Sequence, residues 1–393
     1  MNPTSTATAG THEKQETIVA QDKLRVGVVG TGRWAVRSHI PGWQRDPRVE
    51  VVALADTDAD ALAAAGEQFG VARLESDYRK LTDDPDIDVI DVVTGDRSHF
   101  EVSWAALEGG KHVLCEKPVH SDFREVIAAA DLAESRGLKT KLGFTFRYAP
   151  ATMYAAELLS QGYIGEPYML NAYEQNSQWL DPQTPLRQLR DTADPDVIAV
   201  SSIEGYGAPV IDIMHWWMDA PLQSVVGTMR NFVPNRMVRE TGEMTRVNID
   251  DGDMWIAEFG GGRLASVQSA FVTVGNYPGI EVRIYGSEGA IIVRLVEEFG
   301  ICQTIKAAKK DAVEFVELEI PQRFFPAGAT SREPWPFLFY SNVLRDFTDE
   351  ILSGSSVNQG DFRQGALVQQ TINAFERAHR TRAWVDFPLE AQA

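Results

Sequence analysis

Cysteine is scarce: Cys115 and Cys302 are the only two in 393 residues, and neither sits in a Cys-x-x-Cys. A disulfide framework is therefore excluded. Positive charge is short as well, 37 Lys and Arg against 56 Asp and Glu, for a net charge of −19. Phosphate recognition needs clustered basic residues, so neither nucleic acid nor an anionic membrane is expected as a partner. No apolar run reaches the ~18 residues of a membrane span. There is no His-Glu-x-x-His and no His pair at ligand spacing, so no metal is expected, and no Gly-x-Ser-x-Gly elbow supports serine hydrolysis. Residues 1–22 are polar and lack the apolar stretch of a secretory leader, so they read as a disordered tail on a soluble, cytoplasmic chain.

What is present begins at Leu24. Apolar runs at Leu24–Val29, Val49–Ala55, Val89–Val93, His112–Cys115 and Lys139–Phe144 alternate with helical spacing at 33–44, Asp58–Phe69, Ser98–Leu107 and Asp122–Ser135. Short continuous apolar runs between amphipathic helices indicate a parallel sheet buried on both faces. The right-handed crossover rule makes it doubly wound.

The glycine motif Gly30-x-Gly32-x-x-Ala35 follows the first run and opens the first helix. The first glycine permits a tight turn, the second lets backbone approach a pyrophosphate, and Ala35 allows close helix–strand packing. Asp56 ends the second run, where a carboxylate accepts hydrogen bonds from the adenosine ribose and repels a 2′-phosphate. Thr57, Asp58 and Asp60 follow it with no Arg or Lys, so NAD is expected over NADP. Glu116-Lys117-Pro118 comes directly after His112–Cys115, which places a lysine at the carboxyl end of a parallel strand, where open sheets bind ligands. Pro118 restricts Lys117 to extended backbone. From there its ammonium can polarise a substrate hydroxyl or relay its proton.

Gly30 to Ala35, Asp56, the Thr94 to His99 segment, Glu116-Lys117-Pro118 and Gly143 to Pro150 together resemble the glucose-fructose oxidoreductase / inositol dehydrogenase (Gfo/Idh/MocA) family, over 24–388 in order and spacing. The resemblance implies a Rossmann domain, a second domain on a large open antiparallel sheet, and hydride transfer between nicotinamide and a sugar or cyclitol carbon. It implies Lys117 as the active-site lysine, with Gly30, Thr31, Gly32, Arg33, Trp34, Asp56, Thr94, His99, Glu116 and Lys117 around the cofactor. Two departures lie beside the nicotinamide. The family's Thr-Pro-Asn is Thr94-Gly95-Asp96 here, and its Asn near Arg147 is replaced, with Thr145 or Phe146 in that neighbourhood.

Beyond Pro150 a helix, Ala151–Ser160, precedes strand-like alternation at Tyr168–Gln175, Ser224–Phe232, Asp253–Phe259, Leu264–Thr273, Ile280–Tyr285, Ala290–Leu295 and Val313–Ile320. Helices at Phe347–Leu352 and Ala366–Ala378 follow, and the aromatic stretch Phe324–Tyr340 reads as pocket lining, oligomer contact or core. The expected organisation is therefore α/β: a 1–22 tail, a 23–147 NAD domain, and a 148–393 substrate and oligomerisation domain of α+β type. A sheet with helices on one face leaves the other for a second subunit, so a homo-oligomer is expected.

The family's Asp-x-x-x-His-x-x-Asp, which completes the catalytic set, meets an irregularity. Aligned without gaps on Gly207, Asp212 and Trp216, the chain has Gly205 and Pro209 in place of the Asp and His. A register with one deletion instead makes Asp212 and His215 the pair, at i and i+3 on one helix face. The ungapped register keeps Trp216-Trp217-Met218 in helical phase, and leaves Lys117, Tyr206 or Asp212 to accept the hydroxyl proton. Thr145, Arg147, Tyr148 and Gln175 complete the expected substrate contacts, with Tyr206, Asp212 and His215. Asp250-Asp251-Gly252-Asp253 reads as a turn. Three functions follow: an NAD-dependent dehydrogenase of sugars, glycosides or cyclitols, a redox-neutral enzyme with retained NAD, or a silent NAD-binding sensor.

Overall fold

The computed structural model describes residues 23–186, 197–239, 241–275, 277–297, 299–354 and 358–389; the expected 1–22 tail lies outside them. Six parallel strands form the first sheet, in the order β3-β2-β1-β4-β5-β6. They are β1 Leu24–Val29, β2 Val49–Ala55, β3 Leu74–Glu75, β4 Val89–Val92, β5 His112–Cys115 and β6 Thr140–Leu142. The central strands are mostly apolar because helices cover both faces, with Asp91 of β4 as a buried exception: α1 Ile40–Trp43, α2 Ala59–Phe69, α3 Arg79–Thr82, α4 His99–Glu108 and α5 Phe123–Ser135. Asp58 and Asp122 cap α2 and α5, the first accepting from the Asp60 and Ala61 amides and the second from that of Arg124. The helix expected over 33–44 runs from Arg33 to Trp43 with a wide π-type turn, Ala35–His39, inside it before α1.

After α6 Pro150–Ser160 the chain builds a nine-stranded mixed sheet, in the order β16-β15-β14-β13-β7-β12-β11-β8-β17. Its strands are β7 Pro167–Gln175, β8 Leu222–Arg230, β11 Gly252–Phe259, β12 Arg263–Ala270, β13 Gly279–Gly286, β14 Gly289–Val296, β15 Thr304–Lys309, β16 Val316–Glu317 and β17 Val385–Asp386. The strands β9 Asn235–Met237 and β10 Met244–Arg246 form a separate ribbon. Among the described strands of this second sheet, only β7 and β12 pair in parallel. One face is covered by α6, by α7 Ala208–Met218 and by α9 Phe362–Thr381. The helix α9 also packs on α5, and α8 Trp335–Ser353 packs on α1, so the C-terminal helices join the two sheets. The tight fit shows at Gly42, where a Cβ would stand 2.5 Å from Leu344 Cδ1.

The Asp250-Asp251-Gly252-Asp253 turn is corrected. All three aspartates are buried, leading into and opening β11. Asp250 receives the amides of Ser201, Ser202 (3.1 Å) and Ile203 (3.0 Å), and burial pushes its carboxyl up to about 7 against those bonds. Asp251 pairs with Arg236 at 3.0 Å, and Asp253 accepts from the Ser269 hydroxyl. Asp250 thus braces the segment leading into α7, while Asp251 holds the turn after β8 and Asp253 holds β12.

Candidate active site

The glycine turn has the shape the cofactor requires. Gly30 adopts φ +98°, and a Cβ there would lie 2.6 Å from the Val93 carbonyl. At Gly32 a Cβ would meet nothing within 4 Å, which leaves open space over the turn for a pyrophosphate. Asp56 closes the turn from the end of β2. Its Oδ2 accepts the Thr31 amide at 2.6 Å and hydroxyl at 2.9 Å, and its Oδ1 accepts the Asp58 amide at 2.9 Å. These residues fit an adenosine ribose and pyrophosphate, and among the described residues no Lys or Arg pairs with Asp56 to receive a 2′-phosphate. Asp56→Ala is expected to cut the preference for NADH over NADPH by about tenfold or more, because a repulsive charge and two ribose bonds are lost. Quenching of tryptophan fluorescence by each nucleotide measures it.

Lys117 stands half-buried at the end of β5, and its Nζ donates to the Gly205 carbonyl at 2.6 Å. That bond brings the turn Ile203–Gly207 to the lysine. A Cβ on Gly205 would meet nothing within 4 Å, so the place of a side chain beside Lys117 stands open. His99 holds the other side of the lysine loop. Its ring nitrogens lie 2.7 Å from the Pro118 carbonyl and 3.1 Å from that of Thr94, while the Thr94 hydroxyl turns to Gly95.

Glu116 is not free to meet a ligand. Its Oε1 receives His39 Nε2 at 3.2 Å, Trp34 Nε1 at 3.3 Å and the Tyr340 hydroxyl, and its Oε2 lies 3.3 Å from the Lys117 amide. Behind it, His39 Nδ1 meets Asp91 at 2.9 Å, and Asp91 also accepts Trp43 Nε1 at 2.7 Å. Burial opposes the imidazolium, but the charge and hydrogen bond of Asp91, joined by Glu116, raise His39 to about 9. For Glu116 burial again works against ionisation, and His39, Lys117 and Tyr340 together hold its carboxyl below the ordinary value. The result is a buried carboxylate–imidazolium–carboxylate chain ending at the peptide of Lys117. His39 and Asp91 carry no sequence signal beyond lying on the first helix and the third central strand.

Several expected contacts are corrected. Asp212 is fully buried in a two-pronged pair with Arg147, 2.8 Å to Nε and 2.7 Å to Nη2, and also accepts Gln364 Nε2 at 2.8 Å. Arg147 lies over Trp216 and donates to Asn358 at 2.8 Å, so both charges are spent on joining α7 to the Thr145–Tyr148 turn. His215 bonds Thr371 at 2.8 Å against Phe259; burial, then the Arg147 charge, lowers it to about 3, so it stays neutral in the core. The Tyr148 hydroxyl is buried at 3.1 Å from Asp346 and from the Asn358 carbonyl, and the Thr145 hydroxyl turns to the Gly143 carbonyl at 3.2 Å. Gln175 points to the outer face of the sheet, where it meets Gln268 at 3.1 Å. Tyr206 does lie beside the lysine turn, but as a neutral phenol. Burial, helped by the Glu174 charge, drives its hydroxyl up; it donates to Gln178 at 2.7 Å and accepts from Trp179 at 2.7 Å.

Alternation along β7 brings Glu174, not Gln175, to the inner face. Glu174 is 1% exposed, and its Oε2 has no hydrogen-bond partner. Burial pushes its carboxyl up to about 8 against the pull of Lys117. An aromatic wall runs above: Trp34 to Trp335 at 5.6 Å, Trp335 to Tyr277 at 5.8 Å, and Tyr277 to Tyr206 at 6.2 Å. Arg33, exposed on the glycine turn, extends its field to Tyr206. The aromatic stretch Phe324–Tyr340 thus contributes Trp335 and Tyr340 to the site.

The chain is 26% identical over 359 residues to levoglucosan dehydrogenase of Pseudarthrobacter phenanthrenivorans, covering 85% of this chain and 89% of that protein. It is 25% identical over 270 residues to inositol 2-dehydrogenase/D-chiro-inositol 3-dehydrogenase of Lactiplantibacillus plantarum, covering 68% and 70%. In fold it matches the crystal structure of levoglucosan dehydrogenase with NADH and levoglucosan, with TM-score 0.82 at 23% identity over 94% of this chain and 100% of that one. A family model described as an oxidoreductase family with an NAD-binding Rossmann fold matches residues 24–144, and the GFO/IDH/MocA C-terminal domain matches residues 152–292. With more than half of its length so matched, the chain belongs to the Gfo/Idh/MocA family of NAD-binding oxidoreductases.

Proposed function

We propose that the protein oxidises a secondary alcohol of a neutral sugar, glycoside or cyclitol, or reduces the matching ketone, at Lys117. The observation that carries this reading is the lysine ammonium held 2.6 Å from Gly205 O at the carboxyl end of the Rossmann sheet, facing a second domain that adds a carboxylate and aromatic faces. NAD bound along the glycine turn supplies the hydride acceptor or donor. The protein's own part is to orient the hydroxyl at Lys117, present apolar sugar faces to Trp335 and Tyr277, and move one proton. A polyol offers donors and acceptors to such a mixed pocket, and the relatives named for levoglucosan and inositol support that substrate class. A panel of polyols, glycosides and keto-sugars, incubated with and without NAD and read by NADH absorbance and product mass, tests the reading. Absence of NADH change with every compound overturns it.

A second reading is favoured by the orphaned Glu174 carboxylate. Once a ketone forms, that group can accept an adjacent C–H proton, which permits epimerisation or elimination with NAD regenerated in place. Product without net NADH in the same panel separates the two.

The outer face of the large sheet is proposed as the contact with a second copy. Met254 (60% exposed), Ile256 (47%), Leu264 (49%) and Met169 (43%) adjoin there, with Leu264 opposite Met169 in register. No helix covers them, and an apolar patch of this kind marks an association surface. Ile256→Lys with Met254→Glu is expected to convert an oligomer to monomers, read as mass by light scattering. An oligomer of unchanged mass refutes it. Among the described residues no helix is long and apolar enough to cross a membrane.

A further inference from the structure

The family's usual Asp and His are Gly205 and Pro209 here, yet oxidising an alcohol still requires a destination for its proton. Asp212 and His215 are spent in the core, and Tyr206 is a neutral phenol with both its bonds made. One carboxylate in this part of the fold lacks a partner. Glu174 lies on the inner face of β7, whose register sets it between Ser269 of β12 and Ile280 of β13. The strands β7 and β12 pack on the Ile203–Gly207 turn, the same turn whose Gly205 carbonyl receives Lys117. Two elements distant in sequence therefore aim a lysine and a carboxylate at one turn.

We propose that Glu174, buried and unpartnered on β7 beside the Lys117–Gly205 turn, takes up the substrate hydroxyl proton through Lys117, in the place of the absent Asp/His pair. The proposal rests on the dehydrogenase reading. In the oxidation direction the carbinol C–H bond breaks and its electron pair leaves with hydrogen as hydride to NAD. The C–O bond becomes C=O, and the Lys117 ammonium passes a proton to Glu174 as it takes up the O–H proton, so the lysine ends in the form in which it began. The protonated carboxyl later returns it to solvent; reduction runs the steps backwards.

Burial gives the carboxyl a reason to hold a proton, and the Lys117 charge a reason to release it. The groups that face it are Lys117 after β5, Tyr206 on the turn before α7 and Tyr277 before β13, with Arg33 acting on Tyr206 from the glycine turn. Both tyrosines are pushed toward the neutral phenol, so Lys117 and Glu174 form the pair that exchanges a proton. Because the folded carboxyl is raised, its stabilising effect is complete below the ordinary glutamate value and is lost as pH rises toward 8.

The test uses the full-length protein, Glu174→Gln and Glu174→Gln/Gly205→Asp, with a polyol that the parent oxidises. Glu174→Gln is expected to lower kcat by about 100-fold or more and to remove the pH inflection near 8. NADH affinity, read by fluorescence quenching, stays the same. The second variant puts a carboxylate into the open space at Gly205 and is expected to recover about tenfold. As an activity-free readout, the melting temperature of Glu174→Gln relative to the parent rises between pH 5 and pH 8. A Glu174→Gln enzyme within about threefold of the parent, with the parent's pH profile, overturns the proposal while leaving the dehydrogenase reading intact. A melting difference that is flat with pH overturns the buried-acid basis independently of turnover. A parent that oxidises no polyol is the distinct failure of the dehydrogenase reading, and the proposal falls with it.

Discussion

Lys117→Ala is expected to lower kcat/KM by about 10³-fold, within the range for a lost general acid–base group, with NADH binding changed little. The side chain leaves the end of β5 and makes one polar contact, to Gly205 O at 2.6 Å. It is half-buried, so its removal does not open the core. The loss therefore falls on the transition state and lowers kcat, whereas a lysine that merely bound substrate would show its effect in KM. Lys117→Arg separates charge from proton transfer. A guanidinium keeps the positive charge but does not give up a proton in the working range, so this variant is expected to stay as slow as the alanine. Steady-state kinetics with titration of NADH fluorescence reads both variants. Recovery of activity in the arginine variant would reduce Lys117 to a point charge.

His39→Leu is expected to cost about 3–5 kcal/mol of stability, the range for removing one partner of a buried ion pair. His39 and Asp91 are both fully buried, and Glu116 nearly so. Without the imidazolium the two carboxylates face one another across an apolar hole. The pH dependence follows from the raised His39 value: the stabilisation is complete below about 6.5 and is lost as pH rises through about 9. That span corresponds to about 3 kcal/mol, in keeping with the mutational figure. Melting curves from pH 6 to pH 10 should show the parent losing this component while His39→Leu does not. Glu116 Oε2 also faces the Lys117 amide, so the variant should turn over more slowly even where it is folded. A variant whose melting temperature tracks the parent at every pH would show that His39 is neutral in the fold.

The Rossmann half was legible because its physics is local. Strands buried on both faces are nearly continuous apolar runs, and Asp58 and Asp122 begin their helices as side-chain caps. Gly30, Gly32 and Asp56 carry their geometry in their identity and spacing. The second half was legible as strand-like alternation, but its polar residues were misassigned. Gln175 was expected in the site, yet the period-two alternation of β7 delivers Glu174, and a shift of one residue exchanges the two faces. Asp212 and His215 share a face of α7, as their spacing requires. Nothing local records that Arg147 and Thr371 wait on that face. The three buried aspartates around Gly252 carry the same lesson: a run of acids resembles a solvated turn until tertiary contacts supply their partners. His39 and Asp91 escaped notice because a buried ion network depends on pairings 52 and 77 residues apart.

The central claim is that this pocket moves a hydride between a carbinol carbon and NAD. The most direct measurement supplies a polyol deuterated at the reacting carbon, with NAD, and reads the mass of the cofactor and the product. The account predicts one deuterium on the reduced cofactor, a ketone that has lost it, and neither with Lys117→Ala. A product formed with its deuterium kept at carbon, or a cofactor that never acquires mass while substrate is consumed, would contradict it.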